Sequence, residues 1–433
     1  MFLLLQRFPR RIWHNASRWF GESTQPLQTE IFRRLWFASI VSNMGTWVHE
    51  IGAGWLMTSL DSSPSMVSAV RIAMTLPMIV LAIPMGLLAD RVDRKRMLGS
   101  TAAMLLVLTT VLAVATFCEV ITAWGLLGVT FLLGVAMVGH VLSWQSMAYE
   151  LVPREQMSRA IALGSISFNL ARATGPALGG LLIGLLGVWS NFSLNAISFA
   201  VVLLVLLSWD GTVQRRTNIR PLRQSFREGV AYCASRRPIL ATFARLSMFV
   251  LPASCVWSLL PLFVRRDLGW NPWGFGALVT MIGCGAVLAA LGLHSTQVRL
   301  GFNRVVTLGS VMYAVAMGGS GWWVAQCGSF AAEVVVAPLM LVAGIGWMAV
   351  LTTLNSHVQS HLTSEYRGRG MSFYVFTFTT SMACGAWLWG RVATTMQQTM
   401  GDRSVAVTLA LAGTAMALIA IPVSRIRIGD QAA

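Results

Sequence analysis

The chain has 433 residues, of which 55 % are hydrophobic and only 11 % charged, and it carries a net charge of +16. That balance excludes a soluble multidomain enzyme and places the chain in a membrane. Six scattered cysteines with no Cys-x-x-Cys pair exclude a disulfide framework and a cysteine metal site.

Residues 1–33 come first, a basic segment in which Arg7, Arg10 and Arg11 cut short the apolar run from Phe2 to Leu5. That run is too short for a signal peptide, so the segment reads as a cytoplasmic piece laying Phe8, Ile12, Trp19 and Phe20 on the inner leaflet. Twelve apolar runs follow, each of about 20 residues and long enough to cross roughly 30 Å of hydrocarbon as a helix. The first six cover 35–59, 65–89, 97–117, 122–148, 160–187 and 190–208. The other six cover 239–264, 273–295, 303–325, 332–356, 370–392 and 404–424. The expected fold class is all-α and integral to the membrane.

Between the second and third runs stands GLLADRVDRKRM, residues 86–97, a burst of charge after an almost uncharged stretch. The fifth run contains NLARATGPALGGLLIG, whose Gly and Pro residues are tolerated where neighbouring helices satisfy freed backbone groups. Residues 209–238 carry the charge and prolines of a linker, with Phe226, Val230 and Cys233 spaced as one face of a short amphipathic helix.

The chain repeats itself at an offset of 210 residues. Arg94 maps to Arg304, Gly134 to Gly344, Glu155 and Arg159 to Glu365 and Arg369, and Gly175 and Gly180 to Gly385 and Gly390. The duplication divides the chain into bundles at 34–208 and 239–424, with the linker between them and a cytoplasmic tail at 425–433. Six crossings per half give both halves one orientation, with the substrate path between them. Twenty-five of the 32 basic residues then fall on the side of the termini, so both termini are expected in the cytoplasm. Positive-inside charge and anionic lipid account for the basic excess without any nucleic-acid partner.

A charge near the bilayer centre costs roughly 2.5–3.5 kcal/mol, so each one is a functional candidate. The candidates are Glu50 and His49 in the first run, Arg71 in the second, His140 in the fourth, Arg172 in the fifth and Arg245 in the seventh. At about 1.5 Å per residue, Glu50, Arg71 and Arg172 reach similar depths. Ser39, Asn43, Thr46 and Glu50 share one helix face, as do Ser165, Asn169 and Arg172, and such polar faces line a cavity. Glu50 is the expected proton carrier, with Arg71 or Arg172 as countercharge and anion ligand. The competing reading is a static ion pair. Tryptophans near the outer span ends, Trp55, Trp257 and Trp273 among them, read as an interfacial belt.

The charged turn matches a loop signature of the major facilitator superfamily through Gly86, Leu88, Ala89, Asp90, Arg91, Arg94 and Lys95, with Asp93 in place of a glycine. The chain resembles that superfamily over its whole length. Gly175, Pro176, Gly179 and Gly180 resemble the antiporter motif that accompanies export. Stretches such as RLWFASIVSNMGTW and SEYRGRGMSF are most similar to the enterobactin-exporter and transmembrane-secretion-effector branch. The resemblance implies that Asp90 latches onto the next half near Gly370, while Arg91 and Arg94 find inner carboxylates such as Glu150.

No phosphate-binding loop or nucleophile constellation is present, so neither an enzyme nor an ATP-driven pump is expected. The expectation is a monomeric secondary transporter in a bacterial inner membrane, exporting a small amphiphilic molecule, siderophore or drug-like, in exchange for protons. Its partners are that substrate, protons and membrane lipids, with no cofactor, metal or nucleic acid. A lysolipid or lipid flippase, an uptake symporter and a transport-inactive receptor or scaffold are the alternatives.

Overall fold

A computed structural model describes residues 24–148, 151–209, 222–363 and 366–423. Six long helices fill the first half of the chain: α1 Glu30–Leu60, α2 Pro64–Arg91, α3 Arg94–Phe117, α4 Ala123–Ala148, α5 Met157–Leu186 and α6 Trp189–Leu207. A short helix, α7 Leu222–Ala234, follows. The second half holds α8 Arg237–Leu262, α9 Pro272–Cys327, α10 Ala332–His361, α11 Arg367–Met400 and α12 Ser404–Val423. Helix α9 is 56 residues long but is broken at Gly301, whose φ of 76° belongs to the left-handed region where only glycine is unstrained.

Eight stretches among the described residues are long and apolar enough to span a membrane. Large apolar side chains such as Phe117, Leu185, Leu207 and Leu291 are exposed, which a water-soluble surface of this extent does not tolerate. Helices α1 and α5 fall outside the eight. These are the helices that bear Glu50 and Arg172, so polarity that lowers their hydropathy is placed where chemistry is expected.

Within the first half, α1 packs on α5 and α6, α2 on α4, and α3 on α4 and α6. Within the second, α9 packs on α10 and α12, and α8 on α11. The halves meet where α5 crosses α9 and α2 crosses α11, and the main apolar core runs through both. One side of the molecule, called near, holds the starts of α1 and α5, where Arg159 meets Gln25 and Trp36 donates to the Leu163 carbonyl at 2.9 Å. The far side holds the end of α1 and the start of α12, where Asp267 accepts from Ala406 N at 2.7 Å and caps the positive end of α12.

In the charged turn, Asp93 stands where the loop signature has glycine, and it accepts from Arg96 N at 2.8 Å as the N-cap of α3. The backbone of α2 is helical to Arg91, but the side chains of Asp90 and Arg91, like all of Glu150, lie outside the described residues. Arg94 is buried at the start of α3. The amphipathic linker helix forms as α7: Cys233 is buried, Val230 is 41 % exposed, and the Phe226 side chain lies outside the described residues. It is held to the start of α11 by Glu228–Arg369 at 3.0 Å and by Tyr232 stacked on Tyr366 at 4.1 Å.

Candidate functional site

Helix α1 ends and α2 begins on the far side, so antiparallel packing carries Glu50 and Arg71, each within about three turns of that side, to a common depth. Arg71 Nη1 lies 3.4 Å from Glu50 Oε2, and the two side chains are only 20 % and 22 % exposed. The other arm of the guanidinium crosses to the second half of the chain. Arg71 Nη2 donates to the Trp257 carbonyl on α8 at 3.4 Å, and the guanidinium carbon stands 5.9 Å from the Trp257 ring centre. One cation therefore links α1, α2 and α8. A cavity of about 40 Å³ sits here, lined by Glu50, Arg71, Trp47, Trp257 and Phe275 among others. That holds water but not a drug-sized molecule, which needs roughly 300–1,000 Å³.

Of the two arginines expected near Glu50, Arg71 is its partner and Arg172 is not. Arg172, half-buried on α5, points across to α10, where its Nη2 lies 3.8 Å from the sulfur of Met348. Among the described residues no carboxylate lies within ion-pair distance of it. The polar faces of α1 and α5 do meet, through a residue that sequence spacing does not single out. Ser39 Oγ and Asn43 Nδ2 each lie 3.0 Å from Ser167 Oγ, whereas Asn169 turns back to the Ser165 carbonyl of its own helix at 2.8 Å.

The glycine motif of α5 serves two contacts in succession. A Cβ on Gly175 would stand 2.6 Å from that of Trp47, so this glycine brings α1 and α5 together. Asn191 on α6 locks the same joint, donating to the carbonyls of Val48 at 2.8 Å and Gly179 at 3.2 Å. One turn on, the contact passes to the other half: Gly180 faces Gly276 on α9, where a Cβ on Gly276 would lie 2.6 Å from the Pro176 carbonyl oxygen.

The belt expectation holds for some tryptophans only. Trp124 is 75 % and Trp322 59 % exposed, but Trp55 is buried and stacks on Phe275 at 6.2 Å across the halves. Trp257 packs 6.4 Å from Trp47 and 5.2 Å from Trp347, whose ring also touches Phe249, Tyr313 and Phe378. The correction has a simple cause: distance from a span end does not tell which face of the helix a ring occupies. His49 and His140 are buried against Phe192 and Phe199, and their Nδ1 atoms have no hydrogen-bond partner. Arg245, also buried, donates to Asn303 Oδ1 at 3.0 Å.

A family model described as transmembrane secretion effector matches residues 22–431. The chain belongs to this family of major facilitator transporters. It is similar to the staphyloferrin A transporter of Staphylococcus aureus, 20 % identical over 65 % of this chain and 71 % of that protein. It is also similar to the enterobactin exporter of Escherichia coli, 24 % identical over 64 % of each. Among solved structures it resembles a point mutant of the nucleoside transporter NupG, with a TM-score of 0.74, 13 % identity and coverage of 92 % of this chain and 100 % of that one. That likeness establishes the fold, and the family makes the chain a transporter rather than an enzyme.

In this secretion-effector transporter, every described hydrogen bond and ring contact between the halves lies at mid-depth or on the far side. At the far rim Arg265 donates to Thr58 Oγ1 at 3.0 Å and to Ser59, and covers the Trp55 ring at 5.3 Å. Toward the near side, Ser165 and Phe168 of α5 are exposed, with Phe168 6.3 Å from Trp47. Among the described residues, the Arg265 and Trp55 contacts hold the halves together on the far side.

Proposed function

We propose that the protein exports a small amphiphilic organic molecule, siderophore or drug-like, by alternating access driven by protons, with Glu50 as the carrier and Arg71 as its countercharge. The reading includes twelve membrane crossings in two six-helix bundles, 34–208 and 239–424, joined by the 209–238 linker. The broken α9 supplies two of them. The near side is then the cytoplasmic face of a bacterial inner membrane, because it gathers the basic residues. The enterobactin exporter among its relatives and the Gly175–Gly180 motif support the export direction.

The observation that carries the mechanism is the two-armed Arg71. With Glu50 ionised, one arm is neutralised and the other grips the Trp257 carbonyl, so the pair favours the far-side-closed state. A proton on Glu50 removes the anion that fixes Arg71 and weakens the grip between halves. Proton occupancy is thereby tied to which side is open, as coupled transport requires. Asp90 and Glu150 belong to the near-side closure that the opposite state needs.

The test compares, by mass spectrometry, medium and cell extract from cells expressing wild type, Glu50→Gln or Asp90→Asn at matched levels. A compound enriched in the medium with wild type alone supports export and names the cargo. Equal profiles for all three overturn both the direction and the role of Glu50.

A further inference from the structure

We propose that Arg172 and the tryptophan wall beside it form the substrate-binding site, and that its ligand is a planar aromatic anion. This rests on the transport reading above and names its substrate class.

The charge at this depth does not balance. Among the described residues the centre between the halves contains one carboxylate, Glu50, and two guanidiniums, Arg71 and Arg172. Glu50 is committed to Arg71, and Arg172 has only a thioether sulfur within hydrogen-bonding range. A thioether is a weak, uncharged acceptor that leaves most of the five guanidinium donors unmet. A half-buried cation with no anion is costly, and burial of such a charge is sustained when a ligand supplies the counterion. With Glu50 ionised the centre carries one net positive charge, which a monoanion cancels without help from a proton. A cationic substrate adds a second uncompensated charge, so the site discriminates against it.

The surroundings of Arg172 specify the body of the ligand. Phe168 lies one turn below it on the same helix face, against Trp47. Met348, which it touches, adjoins Trp347 in sequence, and Trp347 leads at 5.2 Å to Trp257 and from there at 6.4 Å to Trp47. Trp47 and Trp257, both partly exposed, thus form an aromatic wall spanning the halves with exposed Phe168 beside it, and the buried Trp347 backs that wall. The Trp257 Nε1 is buried without a hydrogen-bond acceptor, although an indole N–H at such depth ordinarily finds one. A flat ring system stacks on this surface while its anionic group reaches Arg172. Ser165 and Phe168, on the near side of Arg172, are exposed beside it. The water-sized cavity at Glu50 is left to the proton.

The test uses purified protein in lipid nanodiscs and four probes: 1-pyrenecarboxylate, neutral 1-pyrenemethanol, cationic 1-pyrenemethylammonium and dodecanoate, each titrated by tryptophan quenching or calorimetry. Wild type is expected to bind 1-pyrenecarboxylate at least about tenfold tighter than the other three, the worth of one charged hydrogen bond. Arg172→Gln loses that preference while 1-pyrenemethanol binding stays constant. Arg172→Lys recovers part of it, which guards against a folding defect. Phe168→Leu weakens all three pyrenes without touching dodecanoate. Equal affinity for the carboxylate and the alcohol in wild type, or an unchanged preference in Arg172→Gln, overturns the proposal.

The two readings fail separately. If 1-pyrenecarboxylate binds through Arg172 but no pH gradient moves it in proteoliposomes, the site stands and the export reading falls. If a pH gradient instead drives a neutral or cationic compound, transport stands and the aromatic-anion site falls.

Discussion

At the 210-residue offset Glu50, Arg71 and Arg172 of the first half correspond to Leu260, Met281 and Met382 of the second. Trp47, by contrast, corresponds to Trp257, and the two rings face each other across the contact between halves at 6.4 Å. The packing has been kept as well. Gly175 on α5 meets Met44 and Trp47 of α1, and its counterpart Gly385 on α11 meets Leu251 and Ser254 of α8, where Ser254 is the counterpart of Met44. The two halves therefore share a joint but not a chemistry: charge sits in the first and its aromatic wall largely in the second. On the proposed reading, one half carries the titrating group and the other reads its state through a single arginine.

The sharpest way to break this asymmetry is to strip its cation. Arg71→Gln leaves a largely buried carboxylate without its partner, a loss of about 1–3 kcal/mol unless Glu50 takes up a proton. The Glu50→Gln, Arg71→Gln double variant is expected to recover much of that stability, with a coupling of at least about 1 kcal/mol in thermal unfolding, yet to remain without pH-driven transport. Single and double variants with additive stability losses contradict the pairing.

A second variant attacks the joint. Gly276→Val drives a side chain into the Pro176 carbonyl and costs about 1–3 kcal/mol, a penalty confined to the closed far side. Ser258→Cys, at a buried cavity-lining position, then reports the shift as faster modification by a membrane-impermeant maleimide from the far side. Arg265→Gln acts on the rim alone. It removes the Thr58 and Ser59 bonds and the Trp55 contact, for about 1–2 kcal/mol, and raises the same labelling rate about five- to thirtyfold. The smallest effects belong to the apolar counterparts: Leu260→Met and Met281→Leu conserve volume, cost under about 1.5 kcal/mol and leave proton coupling unchanged. A loss of coupling in either places chemistry in the second half and contradicts the comparison.

Much of this was legible in the sequence because its carriers are strong signals. Apolar runs define an all-helical membrane protein, and a carboxylate and an arginine at matched depths on adjacent helices have few alternatives to meeting. What stayed hidden depended on rotation about helix axes and on partners distant in the chain. Ser167 rather than Ser165 joins α1 to α5, because a serine satisfied within its own helix looks the same in sequence as one that reaches across. Gly180 reads as packing within its bundle, yet its partner Gly276 lies 96 residues away in the other half. Trp257 counts as belt by depth and as wall only once the inward face of α8 is known. Asp93 departs from the loop signature and becomes the N-cap of the following helix, a role consistent with Asp preferences though obscured by comparison with glycine.

The central claim, that protonation of Glu50 releases the far side, needs no knowledge of the cargo. Spin labels at Val120 and Phe330, exposed on far-side loops of the two halves, report their separation by pulsed dipolar spectroscopy once exposed Cys118, Cys327 and Cys384 are replaced. Wild type is predicted to show the short, closed distance, and Glu50→Gln, which carries the neutral amide in place of the anion, a longer population under the same conditions. Glu50→Gln with the same closed distance as wild type contradicts the account.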